Sequence, residues 1–236
     1  MNAKKLIAIV VGFSILTSVS KAQGTFQNLD FEAANVSGYS PGGVPSGDAV
    51  PGWTIYLGNT ESGQALYNYV LLGTATVDIL STQFGGVIDG QFTAFLQSGT
   101  DSQSGGQVVS ASIEQSGTVP ANAQSLQFEA ANQSQLLTIS FDGNSLSAVV
   151  LGSGQGVSPG LAYTLYGVNI GPYDGQTGEL EFTENGGGNV NLDDISFSTN
   201  AVPEPSTLVL VVMGGAVCGL RRRRMRASAV RQHKLK

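Results

Sequence analysis

Apolar and polar residues alternate along much of the chain between residues 24 and 199. Leu126, Phe128 and Ala130, for example, are separated by single polar residues. Successive side chains of a strand point to opposite faces, so this spacing predicts strands with one buried face. The interval has no sustained helical period. The predicted strands are Thr25–Ala34, Gly52–Leu57, Ala65–Leu72, Thr74–Leu80, Phe92–Gln97, Val108–Ser116, Ser125–Ala131, Leu136–Phe141, Ser145–Leu151, Ala162–Ile170, Gly178–Thr183 and Asn189–Ser198.

Turn residues separate these strands at short intervals. Residues 142–144 read Asp-Gly-Asn, a strong hairpin signal, and residues 186–188 are three glycines. Gly38–Pro51 and Gln97–Gly106 are expected to be rim loops. Short strands at this spacing are typical of sandwiches and barrels, and the length suits one domain. We therefore predict an all-β fold, a single jelly-roll-like β-sandwich over residues 24–199.

Charge divides the chain sharply and excludes several classes of function. Every lysine and arginine and the one histidine lie in residues 1–22 or 221–236, whereas all seventeen Asp and Glu lie between them. A Ser-His-Asp triad or a histidine zinc site therefore cannot form between residues 23 and 220. Without a basic side chain the domain is also a poor binder of phosphate and nucleic acid. The only cysteine, Cys218, leaves no disulfide.

The N-terminal residues have the three parts of a signal peptide. Lys4 and Lys5 precede an apolar run from Leu6 to Val19, and Ser-Lys-Ala follows at residues 20–22. Small residues at the minus-three and minus-one positions predict cleavage between Ala22 and Gln23. Residues 1–22 are thus predicted to direct export and to be removed.

A second apolar segment lies near the C-terminus, after a linker predicted at residues 200–205. Leu208–Leu220 carries no charge and is followed by four arginines. At about 1.5 Å per residue this run is shorter than the bilayer core, so length alone favours a buried core helix. The arginines favour a membrane stop instead. We predict a transmembrane helix at 206–220 and a basic cytoplasmic tail at 221–236, which places the domain outside the cytoplasm.

This C-terminal region resembles the PEP-CTERM sorting signal of Gram-negative, exopolysaccharide-producing bacteria. The order of a Pro-Glu-Pro motif, a short apolar helix and an arginine cluster carries the resemblance, although residues 225–236 extend beyond the usual end. The resemblance implies recognition by an exosortase, a membrane transpeptidase-like enzyme, and removal of the tail. The motif residues are Val202, Pro203, Glu204, Pro205, Ser206 and Thr207, and the membrane-stop residues are Arg221, Arg222, Arg223 and Arg224.

A second resemblance concerns the ends of the domain. Three segments are similar to parts of the galactose-binding-like jelly roll, a fold that carbohydrate-binding modules use. They are Asn28–Glu32, Pro51–Trp53 and Leu192–Phe197. In that fold the first and last strands lie close together and often hold a structural calcium ion. The resemblance therefore implies calcium near these two strands.

Carried over to this chain, the calcium ligands would be Glu32 with Asp193 or Asp194. If Ile195 and Phe197 face the core, alternation points Asp193 the same way and Asp194 outward. A core-facing carboxylate needs a cation or several donors, and Ca²⁺ prefers oxygen ligands. The alternative is that Asp193 lies at the sheet rim and accepts hydrogen bonds from backbone amides or water.

Aromatic residues offer a further hypothesis. Trp53, Tyr56 and Tyr67 could form a platform on which sugars stack, but a single tryptophan at a strand start is more often buried. Glu179, Glu181 and Glu184 cluster as a glycosidase pair would, yet their spacing better describes a solvated strand. We therefore expect a non-enzymatic protein of the cell envelope or exopolysaccharide matrix. The alternative is a carbohydrate-binding module for neutral glycans.

Overall fold

The computed structural model describes residues 24–70, 73–101, 105–132 and 137–203. Within these ranges no helix is both long enough and apolar enough to cross a bilayer. The predicted signal peptide, its cleavage site, the membrane helix and the basic tail lie outside the described residues, as do motif residues 204–207. These predictions therefore stay predictions.

Sixteen strands make up almost all of the regular structure in the described residues. The only helical elements there are a four-residue helix, α1 (Ser46–Ala49), and a 3₁₀ turn at Gly171–Tyr173. The strands, in chain order, are β1 (Gly42–Pro45), β2 (Thr54–Leu57), β3 (Thr60–Ser62), β4 (Gln64–Tyr67), β5 (Thr76–Ser81), β6 (Phe92–Gln97), β7 (Gly99–Thr100), β8 (Val108–Val109), β9 (Ala111–Thr118), β10 (Ser125–Ala131), β11 (Leu137–Phe141), β12 (Asn144–Leu146), β13 (Ala148–Gln155), β14 (Ala162–Asn169), β15 (Thr177–Glu184) and β16 (Asn189–Ser198).

Two sheets face each other across one core. The eight-stranded sheet has the order β1-β4-β5-β6-β16-β10-β14-β13, and the six-stranded sheet has the order β12-β11-β15-β9-β2-β3. All described pairs within them are antiparallel except β4 with β5. A small ribbon, β7-β8, lies apart. The predicted all-β, jelly-roll-like sandwich is confirmed.

The inner faces of both sheets supply one cluster of buried apolar side chains. Phe128 of the eight-stranded sheet meets Phe182 of the six-stranded sheet edge to face, with ring centroids 5.3 Å apart. Two glycines opposite each other on β9 and β15, Gly117 and Gly178, make room for further rings. A Cβ atom at Gly117 would lie 2.6 Å from the Phe26 ring, and one at Gly178 would lie 2.7 Å from the Phe141 ring.

The first predicted strand, Thr25–Ala34, is wrong. Asn28 and Phe31 have φ angles of +50° and +57°, so the segment runs as consecutive turns. Leu29 and Phe31 are nevertheless fully buried, which explains why their spacing resembled a strand. The Leu29 carbonyl accepts a hydrogen bond from the Ile195 amide at 2.9 Å and thereby joins the segment to β16.

Several other predictions differ from the structure. The loop predicted at Gly38–Pro51 contains β1 and α1, and the loop predicted at Gln97–Gly106 contains β7. The strand predicted at Val108–Ser116 is divided into β8 and β9. The single strand predicted at Ser145–Leu151 is two strands, because the chain leaves the edge of the six-stranded sheet after β12 and enters the edge of the eight-stranded sheet as β13. Alternation along one segment cannot reveal a change of sheet, since both strands keep the same period.

Candidate functional site

A β-bulge in the middle of β16 positions Asp193. The register between β16 and β10 shifts at this point, and Asp194 has a φ of +47°. Leu192 and Ile195 both face the core although three positions separate them. Asp193, next to Leu192, therefore points to the outer face of the eight-stranded sheet. The prediction that Asp193 shares the face of Ile195 and Phe197 is wrong, because the bulge reverses the alternation.

The Asp193 carboxyl is buried although it lies on the outer face. Its exposed fraction is 1%, because the segment between β5 and β6 covers it. One carboxyl oxygen, Oδ2, accepts hydrogen bonds from the Asp89 amide at 3.1 Å and from the Thr93 hydroxyl. The other, Oδ1, accepts from the Asp194 amide at 2.8 Å. Burial nevertheless outweighs these bonds and raises the pKa of Asp193 to about 8, so the carboxyl holds a proton at neutral pH.

Glu32 is exposed and binds the segment that covers Asp193 from the solvent side. Its Oε1 atom accepts hydrogen bonds from the amides of Gln91 and Phe92, at 2.8 and 2.9 Å. The side chain lies directly over Gly90, where a Cβ atom would come within 2.3 Å of Oε1. The structure thus brings Glu32 and Asp193 to the two sides of residues 89–93, and each carboxyl binds backbone amides there.

This donor set does not fit a calcium ion as it stands. Both Asp193 oxygens and Oε1 of Glu32 already accept hydrogen bonds from the chain. No group of three or more acidic, histidine or cysteine side chains among the described residues is placed to hold a metal. The contacts correspond to the amide-bonded alternative for Asp193. Calcium stays a prediction, with the test given in the Discussion.

Asp78 is a second buried carboxyl, which the sequence did not single out. It is fully buried on β5, its Oδ2 accepts from the Tyr69 amide at 3.0 Å, and its Oδ1 has no hydrogen-bond partner. Burial raises the pKa of Asp78 to about 7. Alternation with Val77 and Ile79 predicts an outward position, but no local signal shows that other residues cover this part of the outer face.

The three aromatic residues proposed as a sugar platform lie in different places. Trp53 is 4% exposed, packs between Phe31 and Phe182, and donates its indole N–H to the Asn28 carbonyl at 3.0 Å. Tyr67 is half-buried on β4 and packs against the core. Tyr56 is half-buried on β2 of the other sheet. The structure therefore does not assemble one platform from them.

The outer face of the six-stranded sheet carries a row of carboxylates beside Tyr56. Glu181 on β15 lies directly opposite Glu114 on β9, and Glu179 lies on the same face. Glu181 accepts hydrogen bonds from the Ser140 hydroxyl at 3.1 Å and from a threonine on its own strand. Partial burial and then the charges of Glu179 and Glu181 raise the pKa of Glu114 to about 7. The negative charge of Glu114 is in turn the main reason why the pKa of Tyr56 is raised.

Glu114 was missed from sequence because only strand pairing brings it to Glu181.

A cleft of about 90 Å³ opens near this face, at the β2–β3 hairpin. That volume is well below the 300–1,000 Å³ typical of pockets that enclose a small molecule. Any extended ligand at this face would therefore lie on the surface. The cleft is lined by Leu57, Thr60, Glu61, Ser62 and Asp101.

The start of the sorting motif packs on the domain. After β16 the chain continues to Asn200, whose carbonyl accepts from the Ser125 hydroxyl at 2.8 Å. The Val202 side chain then lies over Gly167 of β14, where a Cβ atom would meet it at 2.6 Å. Pro203 is exposed. The motif therefore begins directly at the sheet surface.

Comparison with known proteins gives a match in sequence and likenesses in structure, two of which are described. Residues 201–224 match the family model of the PEP-CTERM protein-sorting motif. No curated protein matches the chain. One structural likeness, TmCBM61 in complex with beta-1,4-galactotriose, has 13% identity and a TM-score of 0.36 and covers 75% of this chain and 99% of its own.

The second likeness is to the enzymatically active domain of bacteriophage CBA120 tailspike protein 4. It has 13% identity and a TM-score of 0.37, and it covers 74% of this chain and 21% of its own. At these TM-scores neither likeness assigns a ligand or an activity. The sequence match, in contrast, covers the predicted motif from end to end. The chain carries a PEP-CTERM protein-sorting motif at residues 201–224.

Proposed function

We propose that this protein is an exported, non-enzymatic component of the cell envelope or exopolysaccharide matrix, which an exosortase processes at Pro203–Pro205. The matched sorting motif is the observation that carries the proposal. The charge pattern supports it, since all basic residues lie in the two segments that processing would remove. The released product would be a purely acidic β-sandwich.

Mass spectrometry of the protein recovered outside the cell tests this proposal. We expect an N-terminus at Gln23 and a C-terminus within or near Pro203–Pro205. Replacing residues 203–205 by alanine should leave the tail attached and the protein in the membrane fraction. The control is Glu61→Ala, which removes an exposed glutamate of the folded domain and should not alter processing. An intact arginine tail in the extracellular fraction would overturn the proposal.

A second candidate function is the binding of neutral glycans, and the outer face of the six-stranded sheet favours it. That face presents Tyr56 beside hydroxyls and carboxylates, which accept hydrogen bonds from sugar hydroxyls. The absence of basic residues disfavours anionic polymers. The face is open, which suits a chain-like ligand better than a small molecule.

Pull-down on the polysaccharide of the producing cell, with a glycan array, tests this second candidate. Tyr56→Ala should reduce retention, because an aromatic ring supplies much of the contact with a sugar. The control is Tyr39→Ala, which removes an exposed tyrosine on the loop that precedes β1. Trp53→Ala is not a suitable probe, since the loss of a buried tryptophan would destabilise the fold. Equal retention of wild type and Tyr56→Ala would exclude the outer face of the six-stranded sheet as the glycan-binding surface.

A further inference from the structure

The four edges of the two main sheets differ in how well they are protected. Edge strands expose unpaired backbone groups, and proteins usually shorten them, charge them or place proline in them. β1 has four residues and ends in Pro45, β12 has three residues, and β3 has three residues that include Glu61. β13 has eight residues, Ala148–Gln155, with no charge and no proline. Among the described strands only β14 pairs with it.

The exposed side chains of β13 are also unusual for an edge. Ala148, Val150, Ser153 and Gln155 are the exposed positions, and Val150 is 65% exposed. A shift in register at Leu151 divides the strand into an apolar half and a polar half. Neither half carries the lysine or other charge that commonly prevents strand addition. The first half combines exposure with the residue types that favour strands.

The negative charge of the domain limits which partners can pair with this edge. Residues 24–199 contain sixteen acidic residues and no basic ones, so two copies of the domain repel each other over most of their surfaces. The longest uncharged run of the domain lies between Asp142 and Asp174, and it contains all of β13 and β14. Glu129 and Asp194 interact with Tyr163, which pairs with Gly154 in the polar half of β13. Two copies therefore meet the least repulsion at the apolar half, Ala148–Val150.

We propose that β13 is a self-association site, where a second copy of this chain pairs its own β13 in antiparallel orientation. A two-fold axis would then pass through the paired strands, and the two eight-stranded sheets would join into one continuous sheet. The arrangement is closed, because each copy uses the same edge, which carries a bulge but no charge and no proline. It does not involve the outer face of the six-stranded sheet, but it lies beside the start of the sorting motif, since the Val202 and Leu151 side chains both lie over Gly167. The proposal rests on the strand edge alone and not on either proposed function.

Sedimentation velocity of the full chain in mild detergent, from about 1 to about 100 μM, tests the proposal. Wild type should dimerise, and Val150→Lys and Ser153→Lys should each raise the dimer dissociation constant at least tenfold, since each variant brings two lysines, one from each copy, close to the axis and to one another. The control is Val108→Lys, which introduces the same charge at a valine that is 58% exposed on β8. Added salt should strengthen the wild-type dimer by screening the carboxylates.

Amide hydrogen exchange provides a second measurement that does not depend on variants. The amides of Ala148–Gln155 should exchange more slowly as protein concentration rises, while those of β1 should not change. Wild type that stays monomeric, or a Val150→Lys dissociation constant equal to that of Val108→Lys, would overturn the proposal. Protection that appears on β1 instead of β13 would also overturn it.

Discussion

Three carboxyls are buried among the described residues, those of Asp78, Glu184 and Asp193. Asp78 and Asp193 share a setting that distinguishes the domain at the level of single residues. Both lie on the outer face of the eight-stranded sheet, beneath other residues of the domain. Buried carboxylates are usually paired with a cation, but the domain contains no basic side chain. Here a bound proton neutralises each carboxylate instead of a cation, because burial raises the pKa of Asp78 to about 7 and that of Asp193 to about 8.

We expect the domain to be more stable in weak acid than in weak base. The folded state keeps these two protons at pH values where the unfolded chain has lost them, since an ordinary Asp pKa is about 4. The free energy of unfolding should therefore fall by a few kcal/mol as the pH rises from about 4 to about 8. Thermal unfolding across this range measures the effect.

Asp78→Asn should flatten that pH dependence, because the amide cannot ionise but can still accept the Tyr69 hydrogen bond. The control Glu61→Gln, at an exposed position of β3, should leave the dependence unchanged. A stability that rises with pH between about 4 and about 8 would contradict the burial argument.

Calcium provides a separate prediction at the same residues. The oxygens that the second resemblance nominates already accept hydrogen bonds, so we expect EGTA to leave the melting temperature unchanged at neutral pH. Added calcium should stabilise the domain no more than magnesium at equal concentration. A clear drop in melting temperature with EGTA, reversed by calcium and absent in Asp193→Asn, would show that calcium displaces the observed contacts.

How far these residues could be predicted depends on the backbone around them. The resemblance nominated Glu32 with Asp193 or Asp194 as calcium ligands, and the structure places Glu32 and Asp193 on the two sides of residues 89–93. The apolar pattern did not show which face Asp193 occupies. That face is set by the left-handed conformation of Asp194, which aspartate tolerates but which no apolar pattern reveals. Asp78 was missed for a related reason, since its burial comes from residues outside its own strand.

At the level of elements, alternation was a good guide to strands and a poor guide to their partners. The predictions for β6, β10 and β16 have the bounds that the structure shows, because each strand has one side on a continuous core. Pairing is non-local, so the opposition of Glu114 and Glu181 could not be read from either strand. The first segment was misread because turns can also bury residues two apart, as Leu29 and Phe31 do.

The paired glycines Gly117 and Gly178 carry a prediction at this level. Their backbones are in ordinary strand conformations, so alanine would be unfavourable only through collision with the rings of Phe26 and Phe141. We expect Gly117→Ala or Gly178→Ala to lower the free energy of unfolding by about 1–3 kcal/mol, the usual cost of overpacking. Denaturant unfolding measures it.

Gly63→Ala is the matched control for these two variants. Gly63 lies between β3 and β4 with nothing within 4 Å of an added Cβ, so this change should be nearly neutral. If all three variants lost the same stability, collision with the rings could not be the cause, since Gly63 faces no ring.

At the level of the whole molecule, sixteen acidic residues without a basic partner make the domain repel itself. We expect its melting temperature to rise with ionic strength, since salt screens this repulsion. Sodium chloride and potassium chloride should act equally, because screening depends on ion charge and not on ion identity. A melting temperature that falls on going from about 10 to about 300 mM salt, where the screening length becomes roughly fivefold shorter, would contradict the expectation.

The packing of Val202 over Gly167 has a consequence for the geometry of processing. From Val202 only six residues lead to Leu208, where the predicted membrane segment becomes fully apolar. A chain extends at most about 3.5 Å per residue, so the tether reaches roughly 20 Å, less than the width of the domain it holds. In the proposed processing, an exosortase would therefore have to reach its substrate peptide in a narrow gap between the folded domain and the lipid surface. Cleavage frees the domain from that confinement.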